Sequence, residues 1–170
     1  SYRIILEVAG DWTKTNSTIV YVNQAQAGSW SNGYIEGVIK GSANYLGITI
    51  NNQNPSVNVS NFTIGDKVKL EYRGPVKTLI ATDEHGHTTS TTDTHTNNNG
   101  IKLTSWSVFG ATVQGSTATF KGRFYKFSIY DTSTDEWIMY LVPARHKETG
   151  KAMILDCISG NVGSNWTTSF

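Results

Sequence analysis

The densest group of metal-ligating residue types lies between positions 83 and 95. It contains three acidic residues and three histidines: Asp83, Glu84, Asp93, His85, His87 and His95. A His-x-His segment on a strand directs both imidazoles to one face, as a zinc or nickel site requires. His85-Gly86 equally has the composition of a hairpin tip, where flanking histidines are solvated. We expect no bound metal; the residues that would hold one are His85, His87, Asp93 and Asn97.

Calcium is the one cofactor that the sequence leaves open. This ion takes several oxygen ligands, often from a loop. Asp93 with the asparagines at 97–99 could supply such oxygens, and so could Asp131 with Asp135. We expect that no cofactor is needed for folding, because a chain of 170 residues buries enough surface without one.

No carboxylate pair has a spacing suited to glycoside hydrolysis. Asp135 and Glu136 are adjacent, so on a strand they point to opposite faces, whereas the two carboxylates of a glycosidase must flank one bond. His146 lies in a charged turn, and no serine–histidine–aspartate order stands out. We therefore expect a non-enzymatic protein without catalytic residues.

Aromatic residues in polar loops are the candidates for ligand binding. A sugar stacks its apolar face on an exposed aromatic ring and exchanges hydrogen bonds with neighbouring polar groups. Trp30 is the best candidate, because its Gly/Ser/Asn loop also contains Asn32 and offers only alanines as apolar cover. Tyr45 and Trp12 follow. The other tryptophans are expected in the core: Trp106, Trp137 and Trp166.

The composition is that of an all-β chain. Thr, Ser and Asn make up 52 of the 170 residues, and period-2 segments recur where no 3.6-residue period is convincing.

The formal net charge is only +1 and the basic residues are scattered, which argues against a nucleic-acid partner. Apolar runs are too short to cross a bilayer, so we expect no membrane insertion. The single cysteine, Cys157, cannot form an internal disulfide.

About a dozen short strands separated by turn residues predict an antiparallel β-sandwich or barrel. The predicted strands include 2–8, 67–73, 119–130 and 136–142, and a hairpin is expected between 76–82 and 88–94 with His85-Gly86 at its tip. Alternation places Val68, Leu70 and Tyr72 on one face of their strand. It also places Tyr125, Phe127 and Ile129 on one face, which we expect to fill the space between sheets. Asp156 is expected to accept backbone N–H bonds in the turn that it begins.

The C-terminal third carries a family resemblance. Gly122 precedes Phe124-Tyr125 and Ile129-Tyr130-Asp131 on one predicted strand, and Leu141-Val142-Pro143-Ala144-Arg145 follows. Ser159-Gly160 and a terminal Phe170 complete the order. These segments resemble the concanavalin A-like lectin/glucanase (laminin G-like) jelly-roll module of bacteriophage and prophage virion proteins. The resemblance covers about residues 66–170, and the first 65 residues fit only as strands.

The resemblance implies an antiparallel β-sandwich of jelly-roll form. The length predicts a single domain over 1–170, and because the chain opens directly on a predicted strand we expect it to be a fragment or the C-terminal domain of a larger protein. The resemblance also implies a non-enzymatic domain of a tail fibre, baseplate or head decoration, exposed on the virion surface or otherwise extracellular. The expected partners are a host-surface glycan or other virion proteins, and a homo-oligomer is left open.

Two alternatives stay open. One is a secreted bacterial carbohydrate-binding module attached to a glycan-active or cell-surface protein. The other is a glycoside hydrolase or lyase. Glucanases similar to this module carry an E-x-D-x-x-E run on one strand, and this chain has no such run.

Overall fold

The computed structural model describes residues 2–13, 17–23, 35–39, 44–50, 55–92, 105–108, 110–113, 116–119 and 122–162. Within these ranges the chain forms strands and one 3-10 turn at Gly74–Val76. The strands are β1 (Tyr2–Gly10), β2 (Ser17–Asn23), β3 (Ile35–Ile39), β4 (Tyr45–Ile50), β5 (Ser56–Asn58), β6 (Lys67–Arg73), β7 (Thr78–Asp83), β8 (Thr88–Thr92), β9 (Ser105–Val108), β10 (Gly110–Val113), β11 (Ser116–Thr119), β12 (Gly122–Asp131), β13 (Glu136–Arg145) and β14 (Ala152–Asp156). The all-β prediction is confirmed, and none of the described residues forms a helix long and apolar enough to cross a membrane.

The described strands pair in antiparallel register into three sheets. A seven-stranded sheet has the order β14-β13-β12-β1-β6-β7-β8, a five-stranded sheet has the order β5-β4-β3-β2-β9, and β10 pairs with β11. One cluster of buried apolar side chains joins the two larger sheets, with Leu6 and Phe127 from the first and Ile19 and Leu46 from the second. A shared core between two sheets is the arrangement of a β-sandwich.

Side chains on the central strands alternate between this core and the opposite surface. On β1, Ile4, Leu6 and Val8 are in the core cluster. On β6, Val68, Leu70 and Tyr72 are there as well, which confirms the prediction that they share one face and shows that this face is the inner one. The residues between them therefore lie on the other side of the sheet.

The prediction that Tyr125 shares a face with Phe127 and Ile129 is wrong, because a β-bulge interrupts β12. Glu7 pairs with Lys126, but the next residue, Val8, pairs with Phe124, so Tyr125 is the extra residue on its strand. A bulge reverses the alternation beyond it. Phe124 consequently joins Phe127 in the core, and Tyr125 is only half-buried.

Turn residues hold the strand ends as the sequence indicates. The β7–β8 hairpin turns at His85-Gly86, where Gly86 has a φ of +88° and the backbone N–H groups of His85 and His87 donate to Asp83 Oδ1. Asp156 Oδ1 accepts the backbone N–H of Ile158 at 3.2 Å, which confirms its predicted role. β13 continues through Pro143 to Arg145, because this segment still pairs with β14.

Candidate functional site

The outer face of the seven-stranded sheet, turned away from the core, collects aromatic and charged side chains. We define it by the residues that alternate with the core positions of β1, β6, β12 and β13. Its charged and aromatic members are Arg3, Glu7, Lys67, Lys69, Glu71, Arg73, Lys126, Tyr130, Trp137 and Tyr140, and the buried Ile5 and Ser128 lie among them.

Trp137 lies on this face because of a second bulge. Met139 pairs with Ile129, whereas Trp137 pairs with Tyr130, so Ile138 is the extra residue on β13. Met139 is in the core, and strict alternation would place Trp137 there too. The bulge turns the indole outward instead, where 44% of the residue is exposed. The expectation that Trp137 belongs to the core is therefore wrong.

The indole of Trp137 is held by two tyrosines. Its ring centroid lies 4.9 Å from that of Tyr130 and 5.2 Å from that of Tyr140, both in edge-to-face geometry. Such pairs orient aromatic rings beyond what burial alone achieves. Beside the indole is an open depression of about 310 Å³, lined by Arg3, Ile5, Tyr130 and Trp137. The depression thus combines an oriented aromatic ring with a guanidinium group.

Glu71 is the buried centre of the charged half of the outer face. Nε of Arg3 donates to Glu71 Oε1 at 2.8 Å, and Nε of Arg73 donates to the same oxygen at 2.9 Å. Lys69 Nζ lies 3.0 Å from Oε2. Burial by itself raises the pKa of Glu71, but the hydrogen bonds from Arg73, Lys69 and Arg3 outweigh it and lower the pKa from 4.5 to about 2. Glu71 therefore stays ionised across the physiological range.

Glu7, on β1, is a second carboxylate of this face that lies between cations. Lys67 Nζ lies 3.0 Å from Glu7 Oε2, and Lys126 Nζ lies 3.3 Å from Oε1. Burial raises the pKa of Glu7, and the two lysines more than offset this, so the pKa is lowered. Lys126 Nζ also lies over the ring of Tyr140, 5.7 Å from its centroid. The aromatic and charged parts of the outer face are thus in contact.

The aromatic residues predicted to bind a ligand have different outcomes. Trp12 is only 1% exposed and belongs to the core cluster, with its Nε1 donating to the carbonyl oxygen of Thr63. This corrects the expectation that Trp12 is an exposed loop aromatic, because a fully buried ring offers no face to a sugar. Tyr45 begins β4 and is half-buried. Trp30 and Asn32 lie outside the described residues, as do the side chains of Trp106 and Trp166, so their roles remain predictions.

One group of side chains in the described ranges has the composition of a metal site, but it differs from the predicted one. Ligand atoms of Asp66, Glu84 and His85 all lie within 4.8 Å of one another, and His85 Nε2 is 3.0 Å from Asp66 Oδ2. His87 does not join them, because its Nδ1 contacts Asp83 Oδ2 at 2.7 Å. One imidazole and two carboxylates could ligate a divalent cation such as zinc.

The remaining metal candidates are either engaged in a turn or not described. Asp93 and Asn97 lie outside the described residues. Asp131 Oδ1 accepts hydrogen bonds from the backbone N–H and the hydroxyl of Ser133, while Asp135 accepts the hydroxyl hydrogen bond of Tyr130. The two carboxylates thus have separate partners in the β12–β13 turn.

The two outer-face carboxylates do not have the raised pKa that the general acid of a glycosidase needs. A general acid needs a raised pKa to keep its proton near neutral pH. Glu7 and Glu71 have lowered pKa values because their cationic partners favour the ionised form. Their chemistry is the positioning of cations, which suits ligand binding better than proton transfer.

Sequence reasoning missed this site for one local reason. The alternation that puts Val68 and Leu70 in the core also puts Lys69 and Glu71 on the opposite face, so the charged half could have been found. The bulge at Ile138 has no glycine or proline to mark it. Because the sequence does not reveal the bulge, regular alternation places Trp137 on the same face as Met139, which is the core face.

The segments that carry the family resemblance lie on neighbouring strands. Gly122–Asp131 forms β12, and the segment ending in Pro143-Ala144-Arg145 completes β13 beside it. Comparisons with protein-family models, with curated proteins and with solved structures found no match to this chain.

Proposed function

We propose that this chain is a non-enzymatic carbohydrate-binding domain of concanavalin A-like jelly-roll form, displayed on a virion surface for contact with the host. The single observation that carries the binding function is the exposed indole of Trp137 beside Arg3 at the outer-face depression. The virion setting rests on the resemblance of the segments at 122–131 and 141–145.

The depression has the chemistry that a sugar requires. A pyranose ring presents an apolar face of C–H groups and an equatorial rim of hydroxyls. The face can stack on the indole, whose orientation the two tyrosines fix, and the rim can accept hydrogen bonds from the guanidinium of Arg3. Stacking of this kind contributes about 1–3 kcal/mol per ring.

The first prediction tests the indole directly. Trp137→Ala should weaken binding to purified bacterial surface polysaccharides by about 5- to 150-fold, which corresponds to 1–3 kcal/mol of lost stacking. The melting temperature should change little, because the indole lies on the surface and not in the core cluster. Binding would be measured by affinity electrophoresis or calorimetry, and melting by circular dichroism.

A matched control separates loss of this indole from loss of any exposed apolar group. Ile64 is also exposed, in the turn before β6, so Ile64→Ala should leave polysaccharide binding unchanged. Equal binding by wild type and Trp137→Ala would contradict the proposed site. Release of reducing ends that is lost on changing one carboxylate would contradict the non-enzymatic assignment.

The alternative of a secreted bacterial carbohydrate-binding module uses the same depression. What separates the two is the remainder of the polypeptide: an attached catalytic domain favours the secreted module, and a fibrous or capsid-binding part favours the virion domain. Sequencing the complete gene distinguishes them.

A further inference from the structure

The outer face concentrates positive charge. Five cations contact its two carboxylates: Arg3, Lys69 and Arg73 at Glu71, and Lys67 and Lys126 at Glu7. Five positive charges against two negative charges give this network a net charge of +3. The whole chain has a formal net charge of +1, so all other residues together carry −2. The excess of positive over negative charge therefore lies in this network, although the basic residues themselves are spread along the chain.

The surplus charge lies next to the aromatic depression. On the sheet, Arg3 pairs with Tyr130 on one side and with Arg73 on the other, and Tyr130 pairs with Trp137. Trp137, Tyr130, Arg3 and Arg73 thus form one row across four strands. Adjacent strands are about 4.8 Å apart, so β6 lies about 14 Å from β13. Arg3, which lines the depression, is within reach of a sugar that stacks on the indole, and Arg73 is within reach of a neighbouring sugar of the same glycan chain.

Both arginines keep exposed surface for a ligand. Each binds Glu71 through Nε, and their side chains remain 48% and 52% exposed. Glu71 neutralises one of the three charges around it, which leaves two. A guanidinium group forms a planar fork that matches a carboxylate with two parallel hydrogen bonds. Glu71 therefore holds the two arginines in place, and the group of three cations and one carboxylate keeps a net positive charge.

We propose that the outer face selects acidic glycans, in which a pyranose stacks on Trp137, its carboxylate is bound by Arg3, and Arg73 binds the acid group of a neighbouring sugar. This inference rests on the proposed carbohydrate-binding function and adds the class of sugar. A single-stranded nucleic acid also combines rings and negative charge, but it needs several stacking rings along a basic groove. The depression has one exposed indole, which favours a sugar acid.

The test compares acidic polysaccharides with the same chains after chemical reduction of the carboxylates. The probes are polygalacturonate, alginate, hyaluronate and polysialate, each with its carboxyl-reduced form, and a single-stranded oligothymidylate. At least one acidic form should bind wild type at least ten-fold more tightly than its reduced form. The preference should weaken as salt rises, because exposed charges are screened.

Variants assign the preference to the arginines. Arg3→Gln and Arg73→Gln should each reduce the ratio of acidic to reduced binding, while binding of the reduced form still depends on Trp137. Lys147→Gln, in the exposed turn between β13 and β14, is the matched control and should leave the ratio unchanged. Melting curves check that each variant is folded.

The outcomes distinguish this inference from the proposed function. Equal binding of acidic and reduced forms, with both lost in Trp137→Ala, overturns the inference and leaves the carbohydrate site intact. No binding to any polysaccharide overturns both. Tighter binding of oligothymidylate than of every polysaccharide overturns both in favour of a nucleic-acid site.

Discussion

Glu71 determines how the cations of the outer face are arranged. It is only 4% exposed, and three cations contact its two oxygens. A buried carboxylate in such a setting is strongly destabilising if its partners are removed, and its partners are misplaced if it is removed. The charge of one residue thus links the stability of the sheet to the geometry of the proposed ligand site.

This link predicts a pH dependence of stability. The folded-state pKa of Glu71, about 2, is below its ordinary value of 4.5, so the stabilising contribution is complete above pH 4.5 and is lost as pH falls toward 2. The difference of 2.5 pKa units corresponds to about 3 kcal/mol at low ionic strength. Salt reduces it, since the arginines are half exposed. Urea unfolding between pH 7 and pH 2 measures the change.

Glu71→Gln isolates this contribution. The variant should lose about 3 kcal/mol at pH 7 and show a flatter pH profile between 4.5 and 2 than wild type. Glu136→Gln removes an exposed carboxylate at the start of β13 and should leave the profile unchanged. A wild-type profile that is flat over this range would show that Glu71 is not held ionised by its neighbours.

At the scale of elements, the sequence predicts strands and turns well and predicts strand faces well only where pairing is regular. The core residues of β1 and β6 follow period 2 without interruption, and the set predicted on β6 shares one face. On β12 and β13, bulges at Tyr125 and Ile138 change which residues point to the core beyond each bulge. A bulge depends on pairing with a strand distant in sequence, so no local pattern reveals it. The candidate site was missed because Trp137 lies just beyond such a bulge.

The turn that follows β14 gives an element-scale prediction. Asp156 Oδ1 accepts the backbone N–H groups of Tyr140 and Ile158 at 3.1 and 3.2 Å, and Oδ2 accepts the hydroxyl of Ser159 at 2.7 Å. Asp156→Ala should cost about 2–4 kcal/mol, because three donors in partly buried hydrogen bonds lose their acceptor. Denaturant unfolding measures the loss.

A comparable aspartate provides the control for this change. Asp131 Oδ1 also accepts a backbone N–H, that of Ser133, but in an exposed turn where water can replace it. Asp131→Ala should therefore cost less than about 1 kcal/mol. Equal losses for Asp131→Ala and Asp156→Ala would show that burial of the Asp156 turn contributes nothing.

At the scale of the whole molecule, one core joins the two larger sheets. Residues from β1, β6, β7 and β12–β14 pack with residues from β2, β4 and β5 in a single cluster. Burial of apolar surface by a chain of this size can supply the free energy of folding without a metal. The group formed by Asp66, Glu84 and His85 lies in two turns of the chain, and none of its members belongs to this cluster.

We therefore expect that the fold does not depend on a metal. Treatment with EDTA should leave the melting temperature within about 2 °C of the untreated protein, since no metal–ligand bond would be lost from the core. Zinc added at a hundred times its dissociation constant would stabilise the fold by about 2.7 kcal/mol if it bound the group at His85, and His85→Ala should abolish any such rise. A fall of more than about 10 °C with EDTA, several kcal/mol for a chain of this length, would show that a resident metal contributes to folding.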